Sequence, residues 1–264
     1  MADAHTGQVK IDTTVPHSAR IWNYWMGGKD NYEVDRQAGD AYAEGYPGVF
    51  AQAREARQYL IRAVEYLAGE AGVSQFLDVG TGLPTMENTH EVAQRVNPHA
   101  RIVYIDNDPV VLVHARALLK NTTPEGVTVY LDSDFHQPEQ IIADARNVLN
   151  LNEPVAVMFM GVLGHAESTE VARSIIRTMM DAVPSGSYLV HWDGANTNEG
   201  HNRVNAEYNR SGAVPYNLRS PEEIASLYEG LEVLDPGVVD ISQWRPGPNP
   251  SPPVDGYGAV ARKP

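Results

Sequence analysis

Residues 76–79 form a short apolar run, interrupted by Asp78, that leads directly into a turn with glycines at positions 80 and 82. An apolar run of this length bounded by glycine is typical of a buried strand. Glycine also allows the backbone to turn sharply and to approach a ligand closely. A second apolar run, residues 101–105, follows after a helix-sized interval and ends in Asp106. The pattern predicts the strand–helix–strand unit of a Rossmann-like α/β fold.

The position of Asp106 indicates the kind of ligand that this unit binds. Asp106 follows the glycine turn by roughly 20 residues, the spacing at which Rossmann-like folds place an acid on the hydroxyls of a ribose. The sequence therefore predicts a cofactor that carries a nucleoside.

Charge separates two classes of such cofactors. A dinucleotide presents an anionic pyrophosphate to the glycine turn, but no Lys or Arg occurs between Arg62 and Arg95, and Thr85 replaces the third glycine of the dinucleotide fingerprint. S-adenosylmethionine carries a sulfonium and an ammonium against one carboxylate, so an acidic rim favours it. An NAD(P)-dependent oxidoreductase remains the enzyme alternative. A regulatory protein that binds S-adenosylmethionine without transferring its methyl group remains the non-enzyme alternative.

Composition excludes several other classes. The 264 residues include 34 acidic and 20 basic ones, for a formal charge of −14, which disfavours a nucleic-acid partner. Cysteine is absent, and no run of 18 apolar residues or metal-ligand motif occurs. We therefore expect a cytoplasmic protein with no membrane contact, no metal and a small-molecule substrate. The oligomeric state stays open.

Strands and helices alternate after residue 71, which predicts a mainly parallel sheet with helices on both faces. Five such strands are followed by two closely spaced ones, so we expect a seven-stranded sheet that ends in an antiparallel hairpin. A disordered tail is expected over residues 1–15, a helical cap over 16–70 and a Rossmann-like core over 71–264. A polar, Asn-rich cap insertion interrupts the core at about 193–219.

Three motifs together with the glycine turn resemble a known family. Residues 16–32 read Pro-His-Ser-Ala-Arg-Ile-Trp-Asn-Tyr-Trp-Met-Gly-Gly-Lys-Asp-Asn-Tyr, residues 104–109 read Tyr-Ile-Asp-Asn-Asp-Pro, and residues 244–246 read Trp-Arg-Pro. The chain resembles the bacterial S-adenosyl methyltransferase family that was once catalogued only as a domain of unknown function. The resemblance implies a class I methyltransferase fold and S-adenosylmethionine as the cofactor. It does not identify the methyl acceptor.

The resemblance assigns cofactor contacts to the first two strand ends. It implies that Gly80 and Gly82 line the methionine end of the cofactor through their backbones, with Asp78 near its ammonium. Asp106 is expected to accept both ribose hydroxyls, and Asn107 to pack beside the adenine.

Residues at the ends of the third, fourth and fifth strands are candidates for cofactor binding and for catalysis. Asp134 and Phe135 match the place where class I enzymes bind the adenine amino group and cover its ring, and Gly161 matches the floor of the cofactor site. A base is needed only when the acceptor must lose a proton before it attacks. His165 and His191, near the ends of the fourth and fifth strands, are the candidate bases.

Residues 16–32, which we call the N-terminal motif, suggest a role of their own. Arg20 is predicted to pair with the cofactor's carboxylate, and the rings of Tyr24 and Trp25 to face its sulfonium. Gly28 is predicted to let the backbone reach the ligand. The alternative is a helix that only packs its aromatic side chains against the core.

Overall fold

The computed structural model describes residues 12–84, 87–118 and 120–264. In these residues a single sheet contains the parallel strands β1 to β5 and three further strands that are joined to it in antiparallel fashion. The strands are β1 (Gln75–Val79), β2 (Arg101–Asp106), β3 (Val127–Asp132), β4 (Ala156–Met160), β5 (Tyr188–Gly194), β6 (Glu232–Val233), β7 (Val239–Asp240) and β8 (Gly256–Arg262).

The strand order is β3-β2-β1-β4-β5-β8-β6, and β7 also pairs with β8. The predicted Rossmann-like, mainly parallel sheet is confirmed. The predicted count of seven strands and the terminal hairpin are wrong, because the described sheet has eight strands and the two short ones do not pair with each other. Each pairs instead with β8, which is seven residues long and accommodates β6 near Ala261 and β7 near Tyr257.

Helices cover both faces of the sheet, as predicted. They are α1 (Ser18–Trp25), α2 (Glu33–Gly45), α3 (Val49–Gly69), α4 (Thr89–Val96), α5 (Pro109–Leu118), α6 (Pro138–Ala145), α7 (Thr169–Asp181), α8 (Glu199–Tyr208) and α9 (Pro221–Ser226). Short 3-10 turns occur at Leu163–His165 and Ile241–Gln243. None of the helices in the described part of the chain is both long and apolar enough to cross a membrane.

Alternation along the strands directs side chains into two apolar cores, one on each face of the sheet. Leu77 of β1 and Phe159 of β4 belong to the core that α6 and α7 cover, whereas Phe76 and Met158 belong to the core that α3 and α4 cover. All four side chains are buried. This two-sided burial explains why the strands read as nearly continuous apolar runs.

A third, smaller apolar cluster joins the N-terminal helices to the insertion. Ile21 and Trp25 of α1, Tyr42 of α2 and Val204 of α8 are buried together in it. The N-terminal region and the polar insertion therefore pack against each other, although more than 100 residues of sheet separate them in sequence.

A buried ion pair fixes the path of the N-terminal motif. The Arg20 guanidinium lies 3.0 Å from the Asp35 carboxylate, and the two side chains are 3% and 0% exposed. Asp35 also accepts hydrogen bonds from the backbone N–H groups of His17 and Tyr32, which precede α1 and α2. Residues 1–11 of the predicted tail lie outside the described residues, whereas the carbonyl of Asp12 accepts a hydrogen bond from Arg20.

Replacement of Arg20 by Met should destabilise the protein by about 3–5 kcal/mol, because it leaves the Asp35 carboxylate buried without its cation. The matched control is Arg36→Met, which removes a surface ion pair with Glu33 and should cost about 0–1 kcal/mol. Urea unfolding followed by circular dichroism measures both. Equal losses of stability in the two variants would contradict the importance assigned to the Arg20–Asp35 pair.

Candidate functional site

A cavity of about 420 Å³ lies at the carboxyl ends of the parallel strands, the edge at which open α/β sheets bind ligands. One side of it is formed by strand ends. The other is formed by α1, α2, α3 and α8 and by the segment after α8. The strand-end residues that line it are Gly80–Leu83, Asp106, Asn107, Ser133–His136, Met160–Val162, Trp192 and Gly194.

The glycine turn after β1 forms one wall of the cavity. Gly80 and Gly82 have φ values of +73° and +66°, a left-handed conformation that side chains other than glycine rarely adopt. A Cβ atom on Gly80 would lie 2.3 Å from a Cγ atom of Val162, whereas one on Gly82 would meet nothing within 4 Å. The turn is thus packed tightly behind Gly80 and open at Gly82.

Asp106 fixes this turn to the end of β2. One carboxylate oxygen accepts the Gly82 N–H at 2.7 Å and the other accepts the Asp108 N–H at 2.9 Å. Burial raises the pKa of Asp106, and these two backbone hydrogen bonds oppose the rise. Each oxygen keeps a further lone pair, so the carboxylate has the acceptor capacity for two adjacent hydroxyls.

The end of β3 contributes an acid and an aromatic ring to the same cavity. Asp134 accepts a hydrogen bond from the His136 N–H at 2.9 Å. The Phe135 ring packs on the His136 ring at a centroid distance of 3.9 Å. Asn107, Asp134 and Phe135 all line the cavity, as Asp106 does. The structure therefore brings together the residues that are predicted to surround an adenine.

The end of β4 contributes Gly161 and His165. Gly161 has a φ of +85°, and a Cβ there would lie 2.9 Å from the Trp192 ring. His165 Nδ1 lies 2.8 Å from the carbonyl oxygen of Pro215, so the ring donates at Nδ1 and keeps a lone pair on Nε2 when neutral. Burial lowers the pKa of His165, which favours the neutral ring at neutral pH.

The structure does not bring His191, the second candidate base, to the cavity. Its side chain is fully buried and is not among the residues that line the cavity. Nε2 lies 3.1 Å from the Asp193 carboxylate, and Nδ1 lies 3.1 Å from the Tyr228 hydroxyl. His191 faces the core under α9 because alternation along β5 turns it away from the face that bears Trp192.

Three residues of the N-terminal motif that are predicted to contact the cofactor lie away from the cavity and contact other parts of the chain. Arg20 is occupied by Asp35, and the Tyr24 hydroxyl donates to Asp40 at 2.6 Å. Gly28 packs against the side chain of Asn23. None of the three lines the cavity, and no Lys or Arg is among the described residues that do.

Asp78 is likewise not on the cavity wall. It is 2% exposed and accepts a hydrogen bond from the Thr89 hydroxyl at 2.7 Å, beneath the glycine turn. Burial raises the pKa of Asp78 to about 6, against the effects of Thr89 and Arg57. Asp78 therefore lies behind the turn and supports it, rather than on the wall where the predicted ammonium contact would place it. Thr85, which bore on the choice of cofactor, lies outside the described residues.

The sequence analysis did not identify most of the residues on the opposite side of the cavity. This side carries four of the five rings of the aromatic wall, which we define as Trp22, Trp25, Tyr42, Trp192 and Tyr208; Trp192 belongs to β5 on the strand side. His201 and Asn205 of α8 also line the cavity there. The i, i+3 spacing of Trp22 and Trp25 was the available signal, but nothing in the sequence connects α1 with α8.

Comparison with known proteins supports one family. The family model described as S-adenosyl methyltransferase matches residues 4–264. A DUF574 family protein of Streptomyces avermitilis is 42% identical, with a TM-score of 0.91 over 97% of this chain and 100% of that one. A candidate methyltransferase of Thermobifida fusca is 39% identical, with a TM-score of 0.87 over 96% of each chain. No curated protein matches the chain.

More distant structures share the fold alone. An O-methyltransferase family 2 protein of Planctomyces limnophilus is 16% identical, with a TM-score of 0.50 over 88% of this chain and 67% of that one.

Gly80→Ala should destabilise the protein by about 1–3 kcal/mol more than Gly82→Ala. Both substitutions force alanine into a left-handed conformation, but only the methyl group at position 80 meets Val162. Thermal unfolding of the two variants measures the difference, and Gly82→Ala serves as the matched control for backbone strain. The same loss in both would show that Val162 moves aside without cost.

Proposed function

The chain belongs to the S-adenosyl methyltransferase family, and we propose that its strand-end cavity binds S-adenosylmethionine beside a small-molecule acceptor. The protein is an S-adenosylmethionine-dependent methyltransferase, so the oxidoreductase and the non-catalytic alternatives are set aside. The observation that carries the assignment of the site is the Asp106 carboxylate, held by two backbone N–H groups on the wall of the cavity.

The donor and acceptor groups of the strand ends fit this cofactor. Asp106 would accept the two ribose hydroxyls, and Asp134 the adenine amino group, with Phe135 against the ring. Gly82 would allow close approach to the methionine end, because its missing side chain leaves open space. When bound, S-adenosylmethionine supplies a methyl group on a cationic sulfur, which becomes neutral after transfer.

Charge supports the same assignment. Asp106 and Asp134 are carboxylates on the wall, and no Lys or Arg accompanies them among the described lining residues. Such a wall attracts a ligand with a sulfonium and an ammonium and repels a pyrophosphate. The carboxylate of the cofactor therefore has no cationic side chain among these residues, since Arg20 is turned toward Asp35.

His165 is the proposed general base. Its Nδ1 is engaged by the Pro215 carbonyl, and its Nε2 is left as the proton acceptor. The cavity is near the lower end of the range of about 300–1,000 Å³ for small-molecule sites. Shared with the cofactor, this volume leaves room only for a small acceptor. A cytoplasmic location, which rests on composition alone, belongs to the same proposal.

Asp106→Asn should weaken the binding of S-adenosylhomocysteine, the demethylated cofactor, by about 1–3 kcal/mol, because one ribose hydroxyl loses its acceptor in a buried site. Asp132→Asn is the matched control, since Asp132 is an exposed strand-end acid opposite Asp106 on β3. Isothermal titration calorimetry measures both, with NAD as the negative ligand. Unchanged affinity in Asp106→Asn, or comparable binding of NAD, would contradict the assignment.

The pKa of His165 should lie below its ordinary value of 6.5, because burial disfavours the imidazolium. The ring then stays neutral as pH falls to 6.5 and gains its proton only at lower pH. A proton NMR titration of the ring signals, assigned with His165→Gln, measures this pKa. A value above 6.5 would mean that His165 is largely protonated at slightly acidic pH and would argue against its role as a base.

A further inference from the structure

We propose that the aromatic wall is a binding site for a cationic amine and that the methyl acceptor is therefore a small amine. This inference rests on the proposed function, because it concerns the part of the cavity beside the proposed cofactor site. It is carried by the geometry of the rings, by the partners of their polar atoms and by the charges around the cavity.

The five rings of the aromatic wall form one continuous chain of contacts. Centroid distances are 5.8 Å from Trp192 to Trp22, 5.7 Å from Trp22 to Trp25, 5.2 Å from Trp25 to Tyr42 and 6.0 Å from Tyr42 to Tyr208. The chain begins at Trp192, whose ring abuts Gly161 at the end of β4. It therefore runs from the cofactor side of the cavity toward α8.

Three of the four ring pairs are strongly inclined, whereas the Trp192 and Trp22 rings lie at 36° to each other. The interplanar angles are 75° between Trp22 and Trp25, 54° between Trp25 and Tyr42, and 81° between Tyr42 and Tyr208. A planar acceptor is best held between parallel ring faces, whereas several inclined rings enclose a compact group. Aromatic cages of this kind recognise alkylated ammonium groups through the negative faces of the rings.

The polar atoms of two of these rings are engaged by the protein, whereas the buried Trp192 indole N–H has no hydrogen-bond partner among the described residues. The Trp25 indole N–H donates to the Gly39 carbonyl at 3.2 Å, and the Tyr42 hydroxyl donates to the Asn205 side chain at 3.3 Å. These two rings therefore offer a ligand their π surfaces rather than hydrogen-bond donors.

The charges around the cavity favour the same ligand. No Lys or Arg is found among the described residues lining the cavity, and the chain carries a net charge of −14. A phenol or carboxylic acid attacks as an anion, and this wall has no cationic side chain to stabilise one. An ammonium is favoured both by the ring faces and by the acidic field.

His165 would complete the site for an amine. An ammonium has no free electron pair, so its N–H bond must break before attack. The pair stays on nitrogen and the proton passes to His165 Nε2. The nitrogen would then form a bond to the methyl carbon as the carbon–sulfur bond of the cofactor breaks, and the pair of that bond would leave with the sulfur, which becomes neutral. His165 contacts Tyr216 at a ring distance of 5.1 Å, the Tyr216 carbonyl accepts from Asn205, and Asn205 accepts from Tyr42. The base is thereby connected to the aromatic wall through two residues.

The test compares choline with 3,3-dimethylbutan-1-ol, its uncharged isostere, as probes of the full chain saturated with S-adenosylhomocysteine. Calorimetry should show choline binding about tenfold more tightly than the alcohol, because only the charge differs. Equal affinities would overturn the proposal, as would the absence of saturable choline binding. If S-adenosylhomocysteine itself does not bind, the proposed function fails instead, so the two failures are distinguishable.

Variants test which residues produce the preference. Trp22→Leu should remove most of the difference in affinity between choline and the alcohol. Trp22→Phe keeps a ring and should preserve part of that difference, so it serves as a second variant in case Trp22→Leu does not fold. Tyr66→Leu is the matched control, because Tyr66 packs on Trp244 and Arg245 and is not a lining residue. It should leave both affinities unchanged.

A further measurement excludes the competing occupant, which is the sulfonium of the cofactor. If the aromatic wall held the sulfonium, Trp22→Leu would weaken S-adenosylmethionine more than S-adenosylhomocysteine and leave choline unaffected, and the proposal would be wrong. We expect the ratio of the two cofactor affinities to stay within about twofold while choline affinity falls.

Discussion

The hydrogen bond from the Gly82 N–H to the Asp106 carboxylate joins the ends of two neighbouring parallel strands, and the site is assembled around it. It forms because β1 and β2 pair in register with Val79 opposite Ile105. The N–H groups of Gly80 and Thr81 then reach the Ile105 carbonyl, and the turn is held against the next strand. A glycine turn and an acid that are distant in sequence thereby become one rigid surface.

A second interaction, the ion pair of Arg20 and Asp35, positions the helices on the side of the cavity opposite the strand ends. Asp35 accepts from the N–H groups that precede α1 and α2 and is paired with Arg20, so one buried carboxylate sets the angle between the two helices. The helix it fixes carries Trp22 and Trp25, which reach the cavity. The N-terminal motif therefore contributes both to the packing of the helices and to the cavity wall, and its contacts with the cofactor stay predictions.

The two sides of the cavity differ in chemistry in a way that suits methyl transfer. Carboxylates stand at the strand ends, whereas the aromatic wall is apolar and largely buried. Placement of two reactants in one cavity can supply much of the rate enhancement in such a reaction. His165, the proposed base, also lines the cavity, and burial lowers its pKa.

The sequence by itself determined the sheet and the acidic, glycine-rich edge, because strand burial and turn conformation depend on local residue types. The residues at the ends of β1 to β4, including Gly80, Asp106 and Asp134, converge because parallel strands end at the same edge. Only the tertiary structure decided which side chains of α1 face the cavity. Arg20 does not face it, because Arg20 forms a buried ion pair with Asp35. The tertiary structure also decided that α9 covers the face of β5 that bears His191, and that α1, α2 and α8 meet. Those outcomes depend on contacts between segments far apart in the chain, which no local pattern encodes.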